Sequence, residues 1–262
     1  MGNVLKKIVM FVPRRIKRYV LGNIPERVQR QEQFQRIFIK QIKLAIETAT
    51  GIEFQGQIHQ DMFAWSYFDG KKDGFYIDIG ANDGKSISNT YVFEKLGWGG
   101  ACIEPLPDVF EKLRQNRSCD CSNVAISDVS GESIEFIRAK GVEVLSGLSN
   151  QMTEAHKERI RREKGEIEKI YVKTLTFDDL MSNYPDTKHI DFMSIDVEGA
   201  EMSVLKAIDF KKFTFGFITV ENNEEIRGDG KRLISFMEGH GYQVYLDYGG
   251  DIMFVPKTVW VV

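Results

Sequence analysis

Residues 75–84, FYIDIGANDG, constrain this chain more than any other stretch. An apolar run ends in an acid, Asp78, and then turns over glycines at Gly80 and Gly84, with Asn82 between them. Such a segment is where an α/β sheet hands over to a helix and where a nucleoside-type ligand can lie against bare backbone. Gly80 permits a tight turn that a side chain would block. Gly84 lets the following helix begin close to the strand. The order is not the G-x-G-x-x-G that cradles a pyrophosphate. Turns of this kind also occur in α/β folds that hold no ligand, so the motif by itself leaves both readings open.

A second segment decides between them. Ala101-Cys102-Ile103-Glu104 is a short apolar run ending in another acid, twenty residues after Gly84. That distance fits one intervening helix, and it puts a carboxylate at the next strand end, where ribose hydroxyls are bound. Alone, Glu104 reads equally well as a solvated strand-end charge; paired with the first motif it favours a ligand. Two strand-end acids without a phosphate cradle suit a nucleoside with a cationic amino-acid tail. That points to S-adenosylmethionine.

The rest of the chain alternates in the same sense. Strand patterns at 75–79 and 101–103 lead to helices at 86–96 and 107–116, with Pro107 in a first-turn position. Strands are expected at 122–127 and near 134–137, then at 171–175, 189–197, 213–220, 243–246 and 252–255, with helices at 177–181, 200–208 and 231–240. Alternation of this kind gives an α/β fold with a mostly parallel, doubly wound sheet. Residues 138–170 interrupt it: a small-residue stretch around Ser146-Gly147 precedes a segment dense in both charge signs. A charge run is usually a solvated helix face, but its place between two strands suits a lid over an active site. The chain thus divides into a basic and amphipathic N-terminal extension at 1–56 and a catalytic-type domain at 57–262.

Composition excludes some classes. The 262 residues are 42% hydrophobic, enough for a full core, and the net charge of −3 offers no global basic field for nucleic acid. No Asn-Pro-Pro-aromatic motif for a flipped base is present. Three cysteines without metal spacing imply a reducing, cytoplasmic setting. No stretch has the length of a membrane span. Within residues 1–25, however, six basic residues occur with no acid. This segment suits peripheral contact with an anionic membrane surface, or simply a solvated start to a helix. From 27 to 48, Phe34, Phe38, Ile42 and Ala45 fall on one helical face. That face is expected to dock on the domain or on a second copy in a homo-oligomer.

The second informative site is DFMSIDVEGAE, residues 191–201. An apolar strand ends in three acids around a glycine, at the sheet edge where ligands bind. Glu201 has a structural explanation, since an acid in a first helical turn complements the dipole. Asp196 and Glu198 are better explained by a ligand. Of the four histidines, only His156 and His240 are placed where they can reach such a site.

FYIDIGANDG, CIEPLPDVFEKL, NVAISDVSGE, TLTFDDLM and above all DFMSIDVEGAEMSVLK resemble, in sequence and order, the FkbM-type methyltransferase family. The resemblance spans residues 57–255. It implies a Rossmann-like class I methyltransferase fold, S-adenosylmethionine as donor, and an oxygen acceptor on sugars or polyketide-type metabolites. Carried over by position, Asp78, Gly80, Asn82 and Gly84 frame the methionine moiety and Glu104 holds the ribose. Ala125 and Ile126 lie near the adenine, and Asp196 and Glu198 face the transfer site. Glu221 and Asn222, ending the next strand, are similar with Asp196 to the Asp…Asp-Asn metal set of catechol-type O-methyltransferases. They would hold Mg²⁺ or Mn²⁺, or else bind acceptor hydroxyls directly. The expected function is methyl transfer to a hydroxyl of a sugar in a glycan or glycolipid-linked acceptor. The alternatives are a small secondary metabolite as acceptor, or a non-catalytic nucleoside-binding or assembly protein.

Overall fold

The structure, a computed structural model, describes residues 24–222 and 230–258, with side chains from residue 33. The basic stretch before residue 24 lies outside them. No helix among the described residues is long and apolar enough to cross a membrane.

The fold follows from strands that are apolar on both faces. In β1 (Phe75–Ile79), Ile77 and Ile79 enter one core while Tyr76 enters another on the opposite side. In β8 (His189–Ile195), Ile190, Met193 and Ile195 face the first core and Phe192 the second. Only a strand covered on both faces reads this way, which makes these the sheet centre. Each fully buried aromatic, such as Phe192 or Phe217, contributes about 1.5–3 kcal/mol by leaving water.

β1 pairs in parallel with β2 (Gly99–Ile103) and β8, β2 with β3 (Asp120–Ser122), and β8 with β9 (Thr214–Glu221). β10 (Tyr242–Tyr248) and β11 (Asp251–Pro256) close the edge as an antiparallel hairpin. Among the described residues the order is β10-β11-β9-β8-β1-β2-β3, so the chain reverses its direction of travel between β1 and β8. That crevice is where doubly wound sheets take ligands.

Helix α1 (Ile24–Thr50) lays Ile39, Ile42 and Ile46 against the second core, followed by α2 (Gln60–Tyr67). Ile42 docks on the domain as the sequence implies. Ala45 is exposed, and Phe34 stands in solvent stacked on Phe38, with ring centroids 6.1 Å apart.

Three elements differ from the pattern reading. The helix expected at 86–96 shortens to α3 (Tyr91–Lys95). Side chains hold residues 83–91 in a loop instead. Asp83 Oδ1 accepts the N–H groups of Lys85 and Ser86, and Ser88 Oγ accepts those of Thr90 and Tyr91. Beyond α4 (Pro107–Asn116), the single strand expected at 122–127 breaks in two. Asn123 Nδ2 donates to the carbonyls of Glu104 and Pro105, turning the chain between β3 and β4 (Ala125–Ile126).

Residues 138–170, expected as an interruption of the strand–helix alternation, are mostly regular structure. β5 (Ser133–Lys140), β6 (Gly147–Leu148) and β7 (Glu166–Leu175) join β4 in a second sheet ordered β4-β7-β5-β6. The charged run forms α5 (Glu154–Arg162), capped by Thr153 Oγ1. The remaining helices are α6 (Phe177–Met181), α7 (Glu201–Lys206) and α8 (Gly230–Gly239).

Candidate active site

The C-terminal ends of β1, β2, β8 and β9 open onto one cavity of about 320 Å³. Its floor is a knot of backbone. Gly80 has φ +89°, and a Cβ placed on it would stand 1.7 Å from the carbonyl oxygen of Asp196. The N–H groups of Gly80 and Ala81 both donate to the Ile103 carbonyl at 2.9 Å, and Asp196 N–H donates to that of Ile79 at 3.0 Å. The loops after β1, β2 and β8 are therefore tied together at a point that admits no side chain.

Asp78 borders this floor, buried and held from below. Thr90 Oγ1 donates to its Oδ2 at 2.6 Å, and Ser194, its partner across the β1–β8 pair, bonds to it as well. Burial pushes the carboxyl up, against the pull of the Arg117 guanidinium and the Thr90 bond. Arg117 is itself buried. Its Nε donates to Glu94 at 2.7 Å, Nη1 to the Gly84 carbonyl at 3.0 Å, and Nη2 to Thr90 Oγ1 at 3.0 Å. Gly84 is not among the cavity-lining residues, contrary to its expected place beside the methionine moiety. Nor does it start a helix. A Cβ there would meet Leu113 Cδ1 at 2.4 Å and Arg117 Cγ at 2.7 Å, so its glycine serves packing against α4.

Glu104 stands at the end of β2, buried, its carboxyl pushed up to about 7 by burial. Oε1 accepts the Leu106 N–H at 2.8 Å and Oε2 the Asn82 N–H at 3.0 Å. Each oxygen keeps one lone pair, enough to accept the two hydroxyls of a ribose. Asn82 lines the cavity in the left-handed region, φ +50°, and its backbone rather than its side chain meets Glu104. Ala125 and Ile126, with Phe136 and Leu148, supply an apolar wall beyond Glu104.

The opposite end is acidic. Oxygens of Asp196, Glu198 and Glu221 lie within 4.8 Å of one another. Burial raises the Asp196 pKa well above the carboxylate range, with Glu198, Asp251 and Glu201 adding to it. Glu198 sits at φ +51°, its carbonyl pressed by β6 (a Cβ on Gly147 would approach it to 2.9 Å) and its carboxylate 3.8 Å from His156 Nε2. Glu201 is buried and accepts the N–H groups of Val197 and Gly199, closing the DVEGAE loop from inside. Of the three residues expected around a metal, Asp196 and Glu221 come together and Glu198 joins them. Asn222 is not among the cavity-lining residues; its N–H donates to the Gly250 carbonyl at 2.6 Å. His240 bonds the Phe236 carbonyl on α8, away from the cavity.

Sequence reasoning missed several cavity residues. Gln57, Ile58 and Gln60 form one wall, the hairpin tip Gly249-Gly250-Asp251 another, and Glu143, Ser146 and Arg159 reach in from the β5–β6 connection and α5. The Gly249-Gly250 pair signals a turn, but nothing local says which edge of the sheet that turn reaches.

A doubly wound sheet with a side-chain-free floor, a ribose-type acid at the second strand end and a carboxylate cluster beside it defines a class I methyltransferase. The sequence profile of the Methyltransferase FkbM domain matches residues 78–244, more than half of the chain, and the chain belongs to that family. The match makes it an S-adenosylmethionine-dependent methyltransferase. No curated protein sequence matches it significantly. Similar solved structures include a precorrin-6y C5,15-methyltransferase from Geobacter metallireducens (12% identity, 74% of this chain and 85% of that one, TM-score 0.37). A ribosomal protein L11 methylase from Lactobacillus delbrueckii is 10% identical over 75% of both chains, with a TM-score of 0.40. A TehB-like SAM-dependent methyltransferase from Corynebacterium glutamicum is 10% identical over 86% of this chain and 99% of that one, at 0.39.

The residues present fit the donor. The backbone turn at Gly80 lines the cavity, Glu104 keeps ribose-binding capacity, and Ala125 and Ile126 offer a surface for adenine.

Proposed function

We propose that this enzyme is an O-methyltransferase whose acceptor is a sugar hydroxyl, in a glycan or a glycolipid-linked saccharide. The donor supplies a methyl group made electrophilic by its sulfonium. What the protein must add is alignment of the acceptor oxygen and a place for its proton. An ordinary carboxylate is a poor base for a hydroxyl, but burial and neighbouring acids shift Asp196 toward that task. The observation that carries the reading is this perturbed acid at the floor, whose own carbonyl abuts Gly80. The acceptor end is lined by Gln57, Gln60, Glu198, Glu221 and Asp251, groups that bind hydroxyls.

The clustering of Asp196, Glu198 and Glu221 supports a second reading of proton removal, in which Mg²⁺ or Mn²⁺ held by these oxygens lowers the hydroxyl pKa. Exhaustive EDTA dialysis separates the two: activity that survives it leaves Asp196 as the base. The acceptor class is tested with methyl-labelled donor over sugar nucleotides, lipid-linked glycans, hydroxylated metabolites and amines. Label recovered as a sugar methyl ether is the expected result. Label found only on nitrogen or carbon would sink the reading.

A further inference from the structure

The floor and the Asp196 loop lie inside the family match, whereas the Gln57–Gln60 wall and the 249–251 tip lie outside it. We propose that Asp251, positioned by Gln60, is an acceptor subsite that binds the hydroxyl next to the one methylated, so that the enzyme selects vicinal diols. This rests on the O-methyltransferase reading and adds the shape of its acceptor.

Asp251 and Glu221 are direct partners across the antiparallel β9–β11 pair, so their side chains stand side by side on one face. Glu221 in turn neighbours Asp196. Asp251 thus extends the Asp196–Glu221 cluster along the sheet edge, within reach of a second hydroxyl of the same acceptor. Asp251 is over nine-tenths buried yet lines the cavity. Its Oδ2 accepts Gln60 Nε2 at 2.9 Å and Thr219 Oγ1 at 3.2 Å. Among the described residues no group donates to Oδ1. Oδ1 is not sealed off but open to the cavity, where it can accept a ligand hydroxyl.

The wall facing it is locked rather than loose. Gln60 Oε1 accepts the Ile58 N–H at 3.0 Å, and buried Asp61 accepts those of Gln55, Gly56 and Met62 at 2.6–2.9 Å. Ile58 also packs on the hairpin tip, where a Cβ on Gly249 would meet its Cγ2 at 2.9 Å. Gln60 is therefore a positioning residue for Asp251, and both are held before any acceptor arrives.

The test uses the full chain, labelled donor, the methyl glycosides of glucose, galactose, mannose and rhamnose, and their monodeoxy analogues. Replacing the hydroxyl beside the methylated one should lower kcat/KM about tenfold or more, as expected for a bond to a charged partner. Asp251→Ala should raise KM about tenfold for the intact glycoside, leave kcat within about threefold, and abolish the deoxy penalty. Asp251→Asn, which can still accept from Gln60 and Thr219, keeps the test valid if the alanine variant unfolds, and should likewise shrink the penalty. A penalty that persists in the soluble variant, a loss confined to kcat, or methylation of simple phenols or amines in place of any glycoside each overturns the proposal. Calorimetry with S-adenosylmethionine keeps the two readings apart. Failure to bind it sinks the methyltransferase reading, donor binding without methylation of any glycoside sinks the sugar-hydroxyl reading, and glycoside methylation without a deoxy penalty sinks only the subsite.

Discussion

The two ends of the cavity, which we propose hold the donor and the acceptor, are built in different ways. The donor end is made of backbone held by short-range turns and a few buried acids, Gly80, Asn82 and Glu104 among them, drawn from two adjoining strand–turn segments. The acceptor end is made of side chains from distant places, Gln57 and Gln60, Glu198, Glu221 and Asp251, brought together only by the sheet. A backbone site resists substitution and suits a ligand that never changes. A side-chain site can be rewritten one residue at a time, which suits a ligand whose identity is free to change.

The sharpest break in that comparison is Gly80→Ala. The substitution forces a Cβ into the Asp196 carbonyl at a positive φ, so both backbone strain and a clash follow. We expect a loss of stability of about 3 kcal/mol or more in denaturant unfolding, and no detectable donor binding by calorimetry. A folded, donor-binding variant would mean that the floor yields, and that the donor end is not a backbone site.

The same contrast explains what the sequence discloses. The β1 and β2 strands, the Gly80 turn and Glu104 are contiguous patterns whose geometry is set within a few residues, and each stands where the pattern places it. Asp196 and Glu198 are legible for the same reason, at the end of an apolar strand. Gly84 misleads because a glycine required by packing against Leu113 and Arg117 looks, in sequence, like one required by a ligand. The loop at 83–91 misleads because Asp83 and Ser88 side chains outbid a helix there, a competition that periodicity does not register. Asp251 and Gln60 stay hidden because their partnership spans most of the chain. Composition around either one is silent about it.

Next in size is Asp196→Asn, which removes the proposed base while keeping the shape of the floor. Turnover should fall about 10²–10³-fold, with donor affinity within a few-fold of the parent. The wild-type kcat should rise with pH along a limb lying well above the ordinary carboxylate range, because the base works only when ionised and burial favours its protonated form. That limb should vanish in the variant. A pH profile unchanged by the substitution would assign the proton to another group, and would remove Asp196 from the acceptor half.

Glu104→Gln has a smaller effect and tests the donor end through one of its two buried carboxyls, Asp78 being the other. A carboxamide keeps the size but turns an N–H toward a backbone N–H, from either Leu106 or Asn82. Donor affinity should fall about tenfold. The sign of the pH effect follows from a pKa raised from 4.5 to about 7. Between those values the folded protein holds a proton that the unfolded chain has released, so stability without donor declines as pH rises through this window. Donor affinity runs the other way, increasing with pH as the carboxylate that accepts ribose hydroxyls becomes populated. In the glutamine variant the stability slope should shrink, leaving the part carried by Asp61, itself raised to about 6. The affinity slope should flatten, both being read by unfolding and calorimetry from pH 5 to 8.

The smallest expected effect discriminates most finely between backbone and side chain. Asn82 lines the cavity, and the family resemblance places this residue beside the methionine moiety. In the structure its contribution to the donor end is the backbone N–H on Glu104, from a left-handed conformation that glycine adopts freely. Asn82→Gly should therefore leave donor affinity within about threefold, with stability changed by less than about 1 kcal/mol. Asn82→Val, whose branched side chain resists φ +50°, should weaken the donor more than glycine does even though it retains the same N–H. If glycine instead costs tenfold or more, the carboxamide itself grips the donor. The donor end would then be a mixed site, and the division between a fixed backbone half and a variable side-chain half would have to be redrawn at Asn82.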